Sequence, residues 1–434
     1  MSLREKLSII TVYCKNIKKS IQDSIRIDIF LILGLFVLVS SPIIINLLLK
    51  FDTERKRINL FISPQIEKLF GKDMTEALLQ EFREQNPELR IRLLSAADEN
   101  DEPDIFIFEE GDFSVLAAMN SLIKLNRYTN YEAGDIKAME QLAIPLVSFM
   151  DLLFYNIDVL AAAGFDRPPK TREEFLNYAR TVSNNEALAN VSGTAISLNP
   201  RDRQALSRDV FSWIWASGGD FWAEGNRPIL NTVNMADDIS FLCSLYNEKV
   251  LAHGIFEMTG EQRLEEFSRG KTAMMVASSR AIPFLREKMG DKAFGITTIP
   301  LAGNSYSPAG KYSVNLSGIY AGINTKCANP DEAWRFLLFL AEKAGLFCEV
   351  FKAVPGGVSN IVPGDYARND TFYSKAWDIF EASRVVQGFS RMPAAKEYEN
   401  IFWEELRFFF RSNRTAQATI TAIQQRWDEK FNEK

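Results

Sequence analysis

Few side chains in this sequence are placed to do chemistry, and their spacing excludes most reactions. The single histidine, His253, sits in the turn-like run Ala252-His253-Gly254-Ile255 and reads as a surface or capping residue. There is no H-E-x-x-H pair, no glycine-rich phosphate loop and no nucleophile elbow, so metallopeptidase, nucleotide and esterase chemistry lack their parts. Three acidic doublets stand out: Glu109-Glu110, Glu265-Glu266 and Glu404-Glu405. Glycoside hydrolysis needs two carboxylates across a cleft. Adjacent residues on a helix point apart, and the second and third doublets lie in helix-like sequence, where they read as solvated faces. Cys14, Cys243, Cys327 and Cys348 show neither metal-ligand spacing nor a dense disulfide framework; one bridge among the last three stays open. No catalytic residue, metal or cofactor is therefore expected, and a hydrolase is the weakest reading.

Composition narrows the remainder. With 434 residues, 47% hydrophobic and 24% charged, the chain is globular and long enough for two or three domains. A net charge of −6 argues against nucleic acid, which demands a basic face. No internal repeat or low-complexity tract is present. What the sequence leaves is binding, and the elements must explain where.

The organising stretch is Asp151 to Ala179, DLLFYNIDVLAAAGFDRPPKTREEFLNYA. Asp151 to Tyr155 reads as a buried strand. Asn156 caps the next helix and Gly164 stops it. Pro168-Pro169 stiffens the exit, and Thr171 with Glu174 forms a capping box. Phe175, Tyr178, Ala179 and Val182 then make one apolar face. Before it, strands are expected at 58–62, 89–94 and 104–108, with a helix over 75–85, an order that points to α/β layers with parallel pairing. After it come strands at 192–198, 294–300 and 317–324 and the turn Gly270-Lys271 into an apolar strand ending at Ala277. A helix is expected over 329–343, with Asn329 as cap and Gly345 as its end. The tail 398–434 is helical, with Ile420, Ile423, Trp427 and Phe431 on one face.

The amino terminus is different. Residues 1–28 are polar and basic; Ile29 to Leu49 then runs 21 residues without a charge, close to the ~20 needed to cross a bilayer. The run is long for a secretory signal, its amino arm is extended, and no small-x-small site follows. It is read as an uncleaved anchor. Charge on the two sides slightly favours a cytoplasmic amino terminus, with Lys50 to Arg57 as a linker beside the headgroups.

Several motifs carry a family resemblance. The run F-Y-N-x-D-x-L-x-x-A-G-F-x-x-P-P-x-T-x-x-E-F from Phe154 resembles the extracellular solute-binding proteins of ABC importers, family 1, the maltose-binding-protein-like group. Glu81-Phe82 with Asn86-Pro87, Pro103-Asp104-Ile105, the aromatic run Phe211 to Ala216 before Gly218-Gly219-Asp220, and F-x-x-G-K-x-A-M from Phe267 follow in family order. Members that are lipid-anchored carry a cysteine after the apolar run; here none follows it, so a membrane helix would take over that role. The resemblance implies an α/β, two-lobe periplasmic-binding-protein-like fold of type II, preceded by one N-terminal transmembrane helix. Its parts would be 1–28 cytoplasmic, 29–49 anchor, 50–57 linker, 58–152 with 301–350 as lobe 1, and 156–297 with 355–434 as lobe 2. Crossovers are expected near 151–155, 298–301 and 351–356.

The resemblance also implies where a ligand sits. Phe108 falls where the group carries a stacking tryptophan, with Glu109 and Asp112 in the loop that supplies polar contacts. Trp403 and Arg407 fall in the F-W-x-x-x-R segment. Trp213 and Trp215 lie in the aromatic helix, two residues apart, so only one is expected in the cleft. Ser63 and the hinge-strand Asp151 complete the set. Where sugar binders often place an aromatic, this chain has Arg280, which admits an acidic group on the solute or pairs with Glu109 or Asp112 in a closed form. The expected function is a membrane-anchored receptor that delivers a carbohydrate or polyol to ABC permease subunits by hinge closure. The alternative is a sensor of the same fold that signals to a membrane receptor or kinase. Either places the globular part outside the cytoplasmic membrane.

Overall fold

The structure is a computed structural model. It describes residue 15 and residues 56–95, 101–128, 141–217, 221–223, 227–230, 235–301, 313–356, 364–386, 389, 395–412 and 414–433. The expected anchor, 29–49, and the Gly218-Gly219-Asp220 segment lie outside the described residues. Among the described residues no helix is long and apolar enough to cross a membrane.

The chain divides into two compact units, Met1–Arg57 with Arg83–Ile91, and Ile58–Phe82 with Arg92–Lys434. In the first, Leu89 closes a turn onto the Asn86 carbonyl at 3.0 Å, and Lys56 donates to the Glu88 carbonyl at 3.1 Å. The second carries the site.

The strands, in chain order, are β1 Lys56–Ile62, β2 Leu89–Leu93, β3 Ile105–Glu109, β4 Ile144–Asn156, β5 Ser192–Ala195, β6 Trp222–Ala223, β7 Arg227–Pro228, β8 Thr272–Ser278, β9 Phe294–Thr297, β10 Ser313–Ile323, β11 Val354–Pro355 and β12 Arg384–Val386. One sheet runs β1–β3–β10–β4–β8–β5. Along this path β1 with β3 and β5 with β8 are parallel, and β12 pairs in parallel with β10 off the path. Its middle is antiparallel: β10 takes up Ile144–Met150 of β4, and β8 takes up the next stretch, Asp151–Tyr155. Strand β8 reads TAMMVAS with every residue buried. A strand covered on both faces needs such a continuous apolar run.

Local chemistry explains the helices around β4. The Asn156 side chain accepts the Val159 N–H at 3.0 Å and starts the helix Ile157–Ala162. Gly164, at φ 91°, takes the left-handed turn that ends it. Thr171 caps Arg172–Ser183 through the Glu174 N–H at 3.2 Å. The reciprocal half of the expected capping box is absent, because the Glu174 carboxylate pairs with Arg167 and the Lys170 N–H instead.

Elsewhere boundaries move. Two helices joined at the non-helical Gly71, φ 71°, span Pro64–Gln85: the second contains the expected 75–85, and the one that starts at Pro64 was not expected. Asn329 precedes Pro330–Glu342 without a side-chain cap, and Gly345 lies inside the next helix, Ala344–Phe351. The tail is two helices, Ala395–Arg411 and Ala416–Asn432. Cys243, Cys327 and Cys348 are free.

Two apolar clusters among the described residues bear on the site. The larger centres on Phe211, whose ring lies 4.9 Å from those of Phe221, Phe402 and Trp403 and 5.4 Å from Trp215 and Phe389. It binds the helix Arg203–Ala216 to both tail helices. The smaller contains Phe108, Phe113, Leu122, Ala143 and Tyr320.

Candidate functional site

Strand register assembles one wall of a polar cavity. Asp151 on β4 lies opposite Ser278 on β8. On its other side Met150 faces Leu316 of β10, so the next residue, Asn315, comes beside Asp151. Ser278, Asp151 and Asn315 thus form a polar row across three strands. Ser317, two residues along β10, points to the same face.

The helix Arg203–Ala216 supplies the facing wall. Asp202 caps it through the Ala205 N–H at 3.1 Å. Arg203, Gln204, Ser207, Arg208 and Trp215 share its cavity face at helical spacing, while Leu206, Val210, Trp213 and Ile214 are buried. The third wall is the start of the helix Glu110–Ala118, where β3 ends, with Glu109, Glu110, Gly111, Asp112, Ser114 and Val115. Arg280, Phe389, Lys396 and Glu399 close the surround, and the cavity holds about 390 Å³.

Three carboxylates in this space pair with arginines. Asp151, 2% exposed, accepts from Arg208 Nε at 3.1 Å, Ser212 Oγ at 3.4 Å and Asn315 Nδ2 at 2.9 Å. Glu399, also buried, pairs with Arg203 Nη2 at 2.8 Å, and Arg203 reaches Asn400 Oδ1 at 2.5 Å. Burial lifts the Glu399 carboxyl above its ordinary value, and Arg203 and Ser207 pull against it. Glu109 accepts from Arg280 Nη1 at 2.7 Å and from Gln204 Nε2 at 3.2 Å. The Arg280 guanidinium lies 4.3 Å from the Phe149 ring centroid. Asp112 is raised, first by burial and then by the charge of Glu109. Asn315 Oδ1 is buried without a hydrogen-bond partner among the described residues. It is an acceptor at the edge of an open polar space.

Five of the ten residues singled out from sequence line this cavity: Glu109, Asp112, Asp151, Trp215 and Arg280. The other five do not. Phe108 is buried and stacked on Tyr320 at 6.2 Å. Trp213 lies against Phe175 at 5.0 Å, and Trp403 against Phe211, each with its indole N–H buried and without an acceptor among the described residues. Ser63 is buried at the end of β1, where its N–H bonds the Ile107 carbonyl at 2.9 Å. Arg407 sits on the helix Ala395–Arg411.

Sequence reading missed Arg203, Gln204, Ser207 and Arg208. Their signal was present: four polar residues at i, i+1, i+4 and i+5, opposite an apolar stripe. Asn315, Lys396 and Glu399 carried no such signal, because only pairing register and helix docking bring them to the cavity.

The family model described as Bacterial extracellular solute-binding protein matches residues 81–346. Among curated proteins, a probable ABC transporter-binding protein of Deinococcus radiodurans is 23% identical over 249 residues, 55% of this chain and 57% of that protein. A binding protein of Brucella abortus is 25% identical over 206 residues, 46% of each. The chain thus spans about half the length of the curated relatives it matches. Among solved structures, the cyclic alpha-maltosyl-1,6-maltose binding protein from Arthrobacter globiformis superposes with a TM-score of 0.67 at 16% identity, over 86% of this chain and 97% of that one. Maltose-bound MalE3 of T. maritima gives 0.62 at 16%, over 86% and 99%. These likenesses give the fold, the mixed α/β arrangement of type II periplasmic-binding proteins. On the family match, which spans more than half of its length, the chain belongs to the bacterial extracellular solute-binding proteins.

Proposed function

We propose that the chain is the membrane-anchored solute receptor of an ABC importer, and that it binds a carbohydrate or polyol in the cavity by hinge closure without altering it. The observation that carries the reading is the cavity's chemistry. Charged donors and acceptors line it, each arginine is paired, Asn315 Oδ1 awaits a donor, and the edges of the buried Trp215 and Phe389 border it. A sugar hydroxyl both donates and accepts, so it matches such a lining, and sugar C–H faces pack on aromatic rings. Solved proteins of like fold are named for maltose, cyclic alpha-maltosyl-1,6-maltose and alpha-D-tagatose.

In this reading 58–152 with 301–350 form one lobe and 156–297 with 355–434 the other, with 29–49 holding both outside the cytoplasmic membrane. Strand β4 passes between them, and Asp151 lies on it. Glu109 and Asp112 then belong to one lobe, and Arg203, Gln204, Trp215 and Arg280 to the other. Ligand contacts from both sides exist only when the lobes meet, so solute shifts the balance toward the closed form, as periplasmic binding proteins do in the general account of hinge closure. ABC permease subunits would receive that form.

The test is calorimetry and tryptophan fluorescence of the detergent-solubilised full chain against mono- and oligosaccharides, polyols, sugar acids, peptides and divalent metals. Saturable binding of a saccharide or polyol, unchanged on recovery, is expected. Binding confined to peptides or metals would overturn the solute class, and turnover of a bound saccharide would overturn the receptor reading.

A further inference from the structure

The three arginine–carboxylate pairs of the cavity are not equivalent. Asp151 and Glu399 are buried, and each accepts at least two hydrogen bonds from its surroundings. Breaking either leaves a desolvated charge, which is costly. Glu109 with Arg280 is the open pair, its side chains 14% and 40% exposed. It is the pair with the most solvent, so it exchanges most readily of the three. Glu109 also occupies the cap position of the helix Glu110–Ala118 without capping it. Its carboxylate instead spans 171 residues of sequence to Arg280 and 95 to Gln204.

We propose that Glu109 sets the charge selectivity of the cavity: by occupying Arg280 it excludes acidic solutes and leaves a site for neutral ones. The inference rests on reading the cavity as the solute site. An acid reaching for Arg280 must displace Glu109, and the displaced carboxylate stays beside it, next to Asp112, whose own carboxyl already feels Glu109. Like charges so placed repel. With Glu109 neutral, the Arg280 guanidinium, held over Phe149, becomes a fork for an incoming carboxylate or sulfate. One residue thus separates a neutral-sugar site from a sugar-acid site.

The test compares the full chain, Glu109→Gln, and Glu109→Gln with Arg280→Gln, titrated with glucose, maltose, glucuronate, galacturonate and sodium sulfate. In the unsubstituted chain neutral sugars are expected to bind at least tenfold better than their acids. Glu109→Gln is expected to shift that ratio toward the acids by tenfold or more and to create a saturable sulfate site; adding Arg280→Gln removes both gains. Glu109→Ser, which can cap the helix, gives the same readings if the glutamine variant does not fold. An unchanged ratio, or an acid gain that survives loss of Arg280, overturns the inference. If no sugar binds the unsubstituted chain, the solute reading fails by itself. Sulfate then still decides this one: a site gained in Glu109→Gln and lost with Arg280 supports it, and no gain refutes it.

Discussion

Replacing Arg263 by methionine strips a buried carboxylate of its cation directly behind the cavity helix. Arg263 and Asp209 are 2% and 1% exposed, with Nε 3.2 Å from Oδ2. Arg263 also donates to the Val276 carbonyl on β8, and Asp209 accepts the Ser197 N–H at 2.6 Å. Burial pushes the Asp209 carboxyl up to about 6, against the pull of Arg263 and the Ser197 N–H. Burial likewise holds the Arg263 guanidinium below its ordinary value. Desolvation thus already rivals attraction with both partners present. Removing one partner of such a pair costs ~3–5 kcal/mol. Unfolding entropy of ~2.1 cal/mol/K per residue makes each kcal/mol worth roughly 1 °C for 434 residues, so Tm should fall by about 3–5 °C. The loss should depend on pH. Asp209 titrates higher when folded than its unfolded value of 3.8, so its contribution is complete below that value and is lost as pH rises through the folded one. Without Arg263 the folded value climbs further and the loss deepens with pH. The Tm gap between the two proteins should be small near pH 5 and widen toward pH 8. Arg263→Met with Asp209→Asn, which keeps an acceptor for Ser197 and drops the charge, should recover most of the stability and flatten the pH dependence. Thermal unfolding followed by circular dichroism from pH 5 to 8 decides it. A gap of constant size, or a double variant no more stable than the single one, would refute the electrostatic account.

Three further outcomes follow from single contacts. A Cβ on Gly193 would sit 2.3 Å from the Ala179 carbonyl oxygen, part of a helix backbone, whereas one on Gly111 meets only Gln204 Nε2 at 3.6 Å. Gly193→Ala should lower the urea midpoint by ~1–3 kcal/mol equivalent, and Gly111→Ala should leave it in place; equal midpoints would dismiss the close approach. Asn156→Ala loses the cap on Ile157–Ala162 and should cost ~0.5–2 kcal/mol in the same assay, with Asn156→Asp retaining most of it. Trp215→Leu should weaken solute binding about tenfold, the ~1.4 kcal/mol scale of a lost aromatic contact, and abolish the fluorescence response; an unaltered response removes Trp215 from the ligand's surroundings.

Chemistry carried within a few residues was legible in the sequence. The helix Arg172–Ser183 is placed by Thr171 and by the apolar spacing of Phe175, Tyr178, Ala179 and Val182, all of them buried. Gly270, at φ 71°, marks the turn into β8. The acidic doublets at 265 and 404 form helical surface pairs with Arg269, Lys271 and Arg426. Outside the polar face of the helix Arg203–Ala216, what escaped the reading has no local signal. Strand β4 is 13 residues long, yet only its second half looked like a strand, because its first half, IPLVSFM, takes its regularity from β10 and β11 beside it. The break between the tail helices and the start at Pro64 depend on what each segment docks against.

The amino-acid sequence by itself determined the helices and strands whose caps and apolar spacing are local, the family to which the chain belongs, and that Glu109, Asp151, Trp213 and Arg280 were worth suspecting. Only the tertiary structure decided which of them meet. A tryptophan filling a core and one lining a cavity have the same composition and the same helical spacing; Trp213 and Trp215 differ only in which neighbours their turn of helix faces. Glu109 and Arg280 lie 171 residues apart, and their pairing is fixed by sheet register and by the packing of β3 and β8 through β10 and β4. Such long-range geometry emerges from the joint burial of many apolar side chains, and no short stretch of sequence encodes it.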